Sequence, residues 1–225
     1  MEIDIVSPAD DLESLDGVVV VLDIFRASNT ILALLAAGAG RVFLVNELDA
    51  ARRLKAARPR AALLGERGGL PPADFDGGNS PAQAARLTRP GREVILTTSA
   101  GTKAIHRLGG AARVFYGAFA GAAALARAIE ECAPRRVSLL AMGLEARQPA
   151  DEDDAAAWFL AQRLRGQRPD FAAIRRRLLD CPGARRLRRL GQADDLEFCL
   201  SLDSQAIVPL ARFGQPAPWA EAYRP

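Results

Sequence analysis

The chain has 225 residues, 49% hydrophobic and 25% charged, with a formal net charge of +3. That is the make-up of an ordinary globular domain able to bury a sizeable core; it excludes a disordered or fibrous chain, and so small a charge gives no case for nucleic acid as a partner. No basic-then-apolar leader follows Met1, no apolar run is long enough for a bilayer, and Cys132, Cys181 and Cys199 form no CxxC pair, so a cytoplasmic protein without membrane contact is expected.

Residues 1–6 alternate apolar and polar, as an edge strand does. Val18–Leu22 is an almost wholly β-branched run, the pattern of a strand buried on both faces. It stops at Asp23. Arg26 follows, then Ser28, Asn29 and Thr30, then a helix over 28–37 closed by Gly38 and Gly40. In a parallel sheet these residues fall at the carboxyl edge, where open α/β proteins bind ligands, and the helix start offers free N–H groups to an anion. The stretch suggests a metal-holding or catalytic acid beside an anion site. A plainer alternative makes Asp23 and Ser28 helix caps and Arg26 a surface residue.

Strands over 41–45 and 61–64 flank a helix over 47–58. The loop 65–81 is rich in glycine and proline, and such loops keep a shape or let backbone approach a ligand. It carries Glu66, Arg67, Asp76, Asn79 and Ser80. Ser80 precedes Pro81 and a helix over 81–87, so a capping role also explains it. A strand over 93–98 runs into the hydroxyl-rich turn 97–102, a helix over 103–108 and a strand over 113–116. Strand, polar turn, short helix and ArgValPhe thus occur twice, at 18–45 and 94–116, which suggests an internal duplication and two helix starts at one sheet edge.

A helix over 118–132 and a strand over 137–142 lead to four acids at 151–154 and a helix over 155–164. Acids in a first helical turn also suit the helix dipole without further function. The segment 170–190 is basic. Nucleic-acid contact is one option for it, but its interleaved leucines favour a solvated amphipathic helical pair. A helix over 194–202 and a strand over 206–210 precede a proline-rich tail, 213–225, expected to be irregular. The predicted fold is layered α/β/α with a largely parallel or mixed sheet. It forms one domain over 1–225, with sub-lobes at about 1–90 and 91–225 as an option.

His106 is the only histidine, which argues against Ser–His hydrolases and histidine-rich zinc sites. There is no P-loop and no GxGxxG fingerprint. Phe25 stands where an aspartyl-phosphatase of the haloacid-dehalogenase type needs its second acid. What remains is carboxylates after strands, Asp23, Glu66, Asp76 and Glu152 or Asp153, with arginine nearby. Carboxylates without histidine favour Mg²⁺, and the combination suggests metal-assisted phosphoryl chemistry with Arg26 neutralising charge.

The ordered motifs AspIlePheArgAlaSerAsnThr (23–30), GlyGluArgGlyGly (65–69), PheAspGlyGlyAsnSerPro (75–81), ThrThrSerAlaGlyThr (97–102), GluAspAsp (152–154) and AspLeuGluPheCysLeuSerLeuAsp (195–203), with ValPro at 208–209, resemble the 2-phosphosulfolactate phosphatase family. The resemblance implies an α/β fold and Mg²⁺-dependent hydrolysis of 2-phospho-3-sulfolactate or a related 2-phosphohydroxy acid. It carries the family's motif residues onto Asp23, Arg26, Glu66, Asn79, Ser80, Glu152 and Asp153. On this reading Asp23, Arg26 and Glu152 are catalytic. Asp23, Glu66 and Asp153 stand near the metal. Ser28, Arg67, Asn79, Ser80, Thr98, Gly101 and Thr102 bind a small anionic phosphate ester. Ala100, Asp154 and Ala156 depart from the family's usual Asn, Thr and Cys, which bears on the substrate more than on the fold. The alternative function is a non-catalytic binder of a phosphorylated or sulfonated metabolite. A homo-oligomer is left open.

Overall fold

The computed structural model describes residues 1–99 and 101–224, the side chains of Gly101 and Lys103 excepted. Along the chain run β1 (Glu2–Val6), β2 (Val18–Leu22), α1 (Ala27–Ala36), β3 (Arg41–Leu44), α2 (Leu48–Ala57), β4 (Ala62–Gly65), α3 (Ala84–Leu87), β5 (Glu93–Thr97) and α4 (Gly101–Ile105). Then come β6 (Arg113–Gly117), α5 (Ala122–Glu131), β7 (Arg136–Ala141), α6 (Asp151–Leu164), α7 (Phe171–Leu178), α8 (Pro182–Arg189), α9 (Asp194–Cys199), β8 (Pro209–Arg212) and β9 (Trp219–Ala222). The α/β fold and the mixed sheet agree with the sequence.

The strands form one nine-stranded sheet in the order β1-β7-β2-β6-β8-β9-β3-β5-β4. β1, β7, β2 and β6 are mutually parallel, and so are β3, β5 and β4. The β8–β9 hairpin joins the two groups through antiparallel pairings on both sides. With the edge strand β1 set aside, reading the order backwards maps β2 onto β5, β3 onto β6 and β4 onto β7, while β8 and β9 exchange. The chain segments around residue 90 are neighbours in the sheet, because β4 pairs with β5.

The runs without alternation are explained by burial on both faces. Val18, Val20 and Leu22 pack with α5, α6 and the α7–α9 segment. Val19 and Val21 pack on the other face with Ile31 and Leu34 of α1 and Ile105 of α4. Phe43, Leu63 and Ile95 meet α2 in a smaller cluster. Only β1, at the sheet edge, keeps an exposed strand pattern.

The tail departs from expectation. Residues 219–222 form β9 in the middle of the sheet, between β8 and β3. The strand is four residues long and starts just after Pro218, too short for alternation to show. Its place is set by partners, with Trp219 opposite Phe43 and the Arg41 guanidinium 5.0 Å from the indole ring. The acids at 151–154 lie inside the first turn of α6, where the helix dipole favours them.

The two parallel groups run in opposite senses, yet residues beyond the carboxyl ends of β2, β7, β4 and β5 line one cavity. Twist accounts for this. Neighbouring strands rotate by roughly 20–25°, so the five steps from β2 to β5 accumulate about 100–125° and turn both carboxyl edges toward one cleft.

Candidate active site

The cleft encloses about 300 Å³. Asp23 and Arg26 enter it from the end of β2, Glu66 and Asn79 from the loop after β4, Thr98 and Ser99 from the end of β5, and Glu152 and Asp153 from α6. The sequence-predicted Asp23, Arg26, Glu66, Asn79, Thr98, Glu152 and Asp153 are therefore brought together.

The backbone leaving β2 is held by side chains. Asp23 Oδ1 accepts the Ala27 N–H at 3.1 Å, which caps α1. Capping and a place in the cavity thus coexist at Asp23. Arg26 is not a surface residue: it is 3% exposed. Its Nη1 donates to Asp195 Oδ2 at 2.6 Å and its Nη2 to the Gly69 carbonyl at 3.1 Å. The Phe25–Arg26 peptide is cis.

Asp153 uses both oxygens on backbone. Oδ1 accepts from Ile24 N at 2.7 Å and Oδ2 from Gly143 N at 2.9 Å. It pins the ends of β2 and β7 together. Burial pushes the Asp153 carboxyl well above the usual range, and the charges of Asp23 and Glu152 push the same way. Glu152 is raised too, first by burial, and Asp23 and Asp151 add to it. Cys181, the N-cap of α8, donates its S–H to Glu152 Oε2 at 3.5 Å, and burial lifts that thiol to about 11. Burial and the Asp23 charge also keep the Tyr116 phenol neutral.

Glu66 does for the other edge what Asp153 does here. Its Oε1 accepts from Ser99 N at 2.7 Å and its Oε2 from Gly69 N at 2.7 Å. Thr98 and Thr102 cap each other across the start of α4, with Thr102 Oγ1 donating to the Thr98 carbonyl at 3.0 Å. Asn79 is buried, and its Oδ1 has no hydrogen-bond partner among the described residues.

Other predicted binding residues stand behind the cavity wall. Ser28 Oγ donates to the Val21 carbonyl and accepts from Asp23 N, so it ties the strand end together. Arg67 is spent on the Glu66 and Asn46 carbonyls and Thr97 Oγ1. Ser80 stands at the N-cap position of a 3₁₀ turn, Pro81–Gln83, but its side chain makes no capping hydrogen bond; its Oγ donates to Asp195 Oδ1 at 2.5 Å. Thr102 is buried behind Thr98. Gly101 opens α4, and Ala100, the departure noted in this turn, lies outside the described residues. Asp76 is turned to Lys55 and the Leu63 N–H, away from the cavity.

The sequence analysis places Asp195 in a family motif and the arginines of α8 in a basic segment but gives neither a role in the site. Asp195 is buried and holds Arg26, Ser80 and the Ala82 N–H. Pro182, Gly183, Arg186 and Arg189 line the cleft, so the basic pair is solvated only in part. One signal was present: Gly183 follows Pro182 in the first turn of α8, where a helix-former would otherwise be favoured. A Cβ there would meet Glu152 Oε1 at 2.5 Å, so any larger residue would displace the Glu152 carboxyl from its present position.

Among the described residues no three His, Cys, Asp or Glu side chains are grouped to hold a metal. Glu66 and Asp153 already brace backbone. Mg²⁺ needs only one or two carboxylates when water and substrate phosphate fill its other positions. The crowded oxygen donors of Asp23 and Asp153, whose like charges a dication would relieve, fit that lesser demand.

Fold and site together define an α/β protein whose sheet edges converge on a cleft of buried carboxylates and arginine. A family model described as 2-phosphosulpholactate phosphatase matches residues 5–213. A protein of Deinococcus radiodurans is 30% identical over 221 residues, covering 89% of this chain and 90% of the relative. One from Thermus thermophilus is 34% identical over 211 residues, 87% and 88% of the two chains. One from Carboxydothermus hydrogenoformans is 32% identical over 224 residues, 93% and 92%. Each is named a probable 2-phosphosulfolactate phosphatase. The chain belongs to the 2-phosphosulfolactate phosphatase family.

Proposed function

We propose that the protein hydrolyses the phosphate monoester of 2-phospho-3-sulfolactate, or of a related 2-phosphohydroxy acid, to the hydroxy acid and phosphate. Membership of a family of phosphoric monoester hydrolases supports this. The observation that carries it is the meeting of Arg26 with Asp23, Glu152 and Asp153 in one buried cleft.

Arg26, fixed by Asp195, orients a phosphoryl oxygen and offsets charge as it develops. Thr98 and Asn79 border the same space, and Asn79 Oδ1 has no hydrogen-bond partner among the described residues. Glu152, raised by burial, retains a proton more readily than an exposed glutamate and can pass it from its carboxyl to the leaving alkoxide oxygen. Asp23, which lines the same cavity, takes the proton of an attacking water. Asp23 and Asp153 would hold Mg²⁺; when bound, the ion polarises a phosphoryl oxygen. Glu66 acts by keeping Ser99 and Gly69 in place. Three free cysteines fit a reducing cytoplasm, and among the described residues no helix is long and apolar enough to cross a membrane.

The test is phosphate release by purified protein across a panel of phosphorylated 2-hydroxy acids, with Mg²⁺ and then with chelator. Release that requires Mg²⁺ supports the reading. Ligand binding without release from any ester, in folded protein, would replace it with the metabolite-binding alternative.

A further inference from the structure

Among the arginines of α7 and α8, Arg175 pairs with Glu197 and Arg185 with Asp180, and both sit outside the cleft. Arg186 differs. It lines the cleft, is half-buried, and has no hydrogen bond or ion pair among the described residues. Its Nη2 would lie 3.8 Å from a Cβ built on Gly69. The Gly69 carbonyl is already taken by Arg26 Nη2 and Gln192 Nε2. Two guanidinium groups thus approach one glycine of the cavity wall. The charge of Arg26 is answered by Asp195 at 2.6 Å, whereas that of Arg186 is not answered within the described residues. A guanidinium drawn partly out of water keeps its five donors only if an anion or acceptors meet them. Buried Asn79, with its unpartnered Oδ1, borders the same cavity.

We propose that Arg186 is a specificity-determining residue that grips a second acidic group on the substrate, a carboxylate or sulfonate, while Arg26 takes the phosphoryl group. The inference rests on the phosphatase reading for the ester but not for the anion contact. The site then prefers a phosphate ester with an acidic tail over one with a neutral tail. It makes this choice in binding, because the second acid does not change charge as the ester is cleaved.

The test compares wild type with Arg186→Met, Arg186→Lys and Arg188→Met. Arg188 is an exposed neighbour outside the cavity lining, so its loss changes net charge equally. The substrates are 2-phospho-3-sulfolactate and the neutral-tailed propane-1,2-diol 2-phosphate. Arg186→Met should raise KM for the acidic ester by about 10- to 100-fold, the worth of a charge-assisted pair, with kcat nearly kept and the neutral ester unaffected. Arg186→Lys should fall between, and Arg188→Met should match wild type. Calorimetric binding of phosphate-free 3-sulfolactate reads the same contact without turnover, so a failed phosphatase assay does not blur the result. Equal affinity for 3-sulfolactate in wild type and Arg186→Met, no measurable affinity in either, or equal losses in the Arg186 and Arg188 variants would overturn the proposal.

Discussion

The two edges of the cleft share a frame and differ in charge. At the end of β2 the residue after the strand is Asp23, and the next N–H, that of Ile24, is held by Asp153. At the end of β5 the residue after the strand is Thr98, and the next N–H, that of Ser99, is held by Glu66. Each bracing carboxylate spends its second oxygen on a glycine N–H, Gly143 or Gly69. The frame therefore needs one carboxylate on each edge. The first edge adds Asp23 and Glu152 and becomes a crowded acid site, fit for proton transfer or a cation. The second adds hydroxyl groups and stays fit for an anion. Function is written in what each edge carries beyond its brace.

Exchanging the strand-end residues should break this contrast most sharply. Asp23→Asn keeps a good helix cap, so its thermal midpoint should barely move, while kcat falls about 10²- to 10⁴-fold. Thr98→Val, similar in shape, should keep kcat and raise KM about tenfold, the worth of one lost hydrogen bond. Steady-state kinetics on the preferred ester check both. A KM defect at Asp23 with kcat intact would reverse the assignment of the two edges.

Asp195 joins the edges by fixing Arg26 and Ser80. Arg26 and Asp195 are 3% and 2% exposed. Asp195→Asn leaves a buried guanidinium without its counter-charge, which should cost about 3–5 kcal/mol in denaturant unfolding. Arg26→Met with Asp195→Leu should restore much of that stability and none of the activity. A cost under about 1 kcal/mol for Asp195→Asn would remove the pair from the framework.

The braces themselves should respond unequally. Glu66→Gln turns an amide NH₂ toward a backbone N–H and should cost about 1–3 kcal/mol. Asp153→Asn makes the same loss but also removes a charge from beside Asp23 and Glu152, so it should cost less. Unfolding midpoints of the two variants in chelator at pH 7.5 decide this. A larger loss at Asp153 would mean that repulsion on the acidic edge is already relieved.

Much of this was legible in the sequence and some was not, for local reasons. Buried strands such as β2 and β5 announce themselves because both faces are apolar. The strand-end acids and the loop with Glu66 and Asn79 stand out because polar residues cluster where strands stop. β9 was invisible because its four residues take their place from β8 and β3. Ser28 and Arg67 looked like ligands because composition does not reveal that a hydroxyl or guanidinium is spent on nearby backbone. Arg186 was hidden for the converse reason. A basic amphipathic helix reads as solvated until packing shows which of its arginines faces a cavity.

His106 gives the smallest and cleanest test of the two-edge comparison. It stands at the same count from the end of β5 as Ile31 from the end of β2. Ile31 is buried in the core, whereas the His106 side chain reaches the surface. Partial burial holds its imidazole below the ordinary 6.5. Between the folded and unfolded values the unfolded chain binds the extra proton, so stability rises with pH through that window. This contribution is complete above about pH 6.5 and is lost as pH falls through the folded pKa. As the only histidine, it can be followed alone by proton NMR. The titration should centre below 6.5, and His106→Gln should flatten the dependence of the thermal midpoint on pH in that range. A midpoint at or above 6.5 would mean that the α4 surface leaves the ring fully hydrated, and that the two units differ more in packing than their shared strand order suggests.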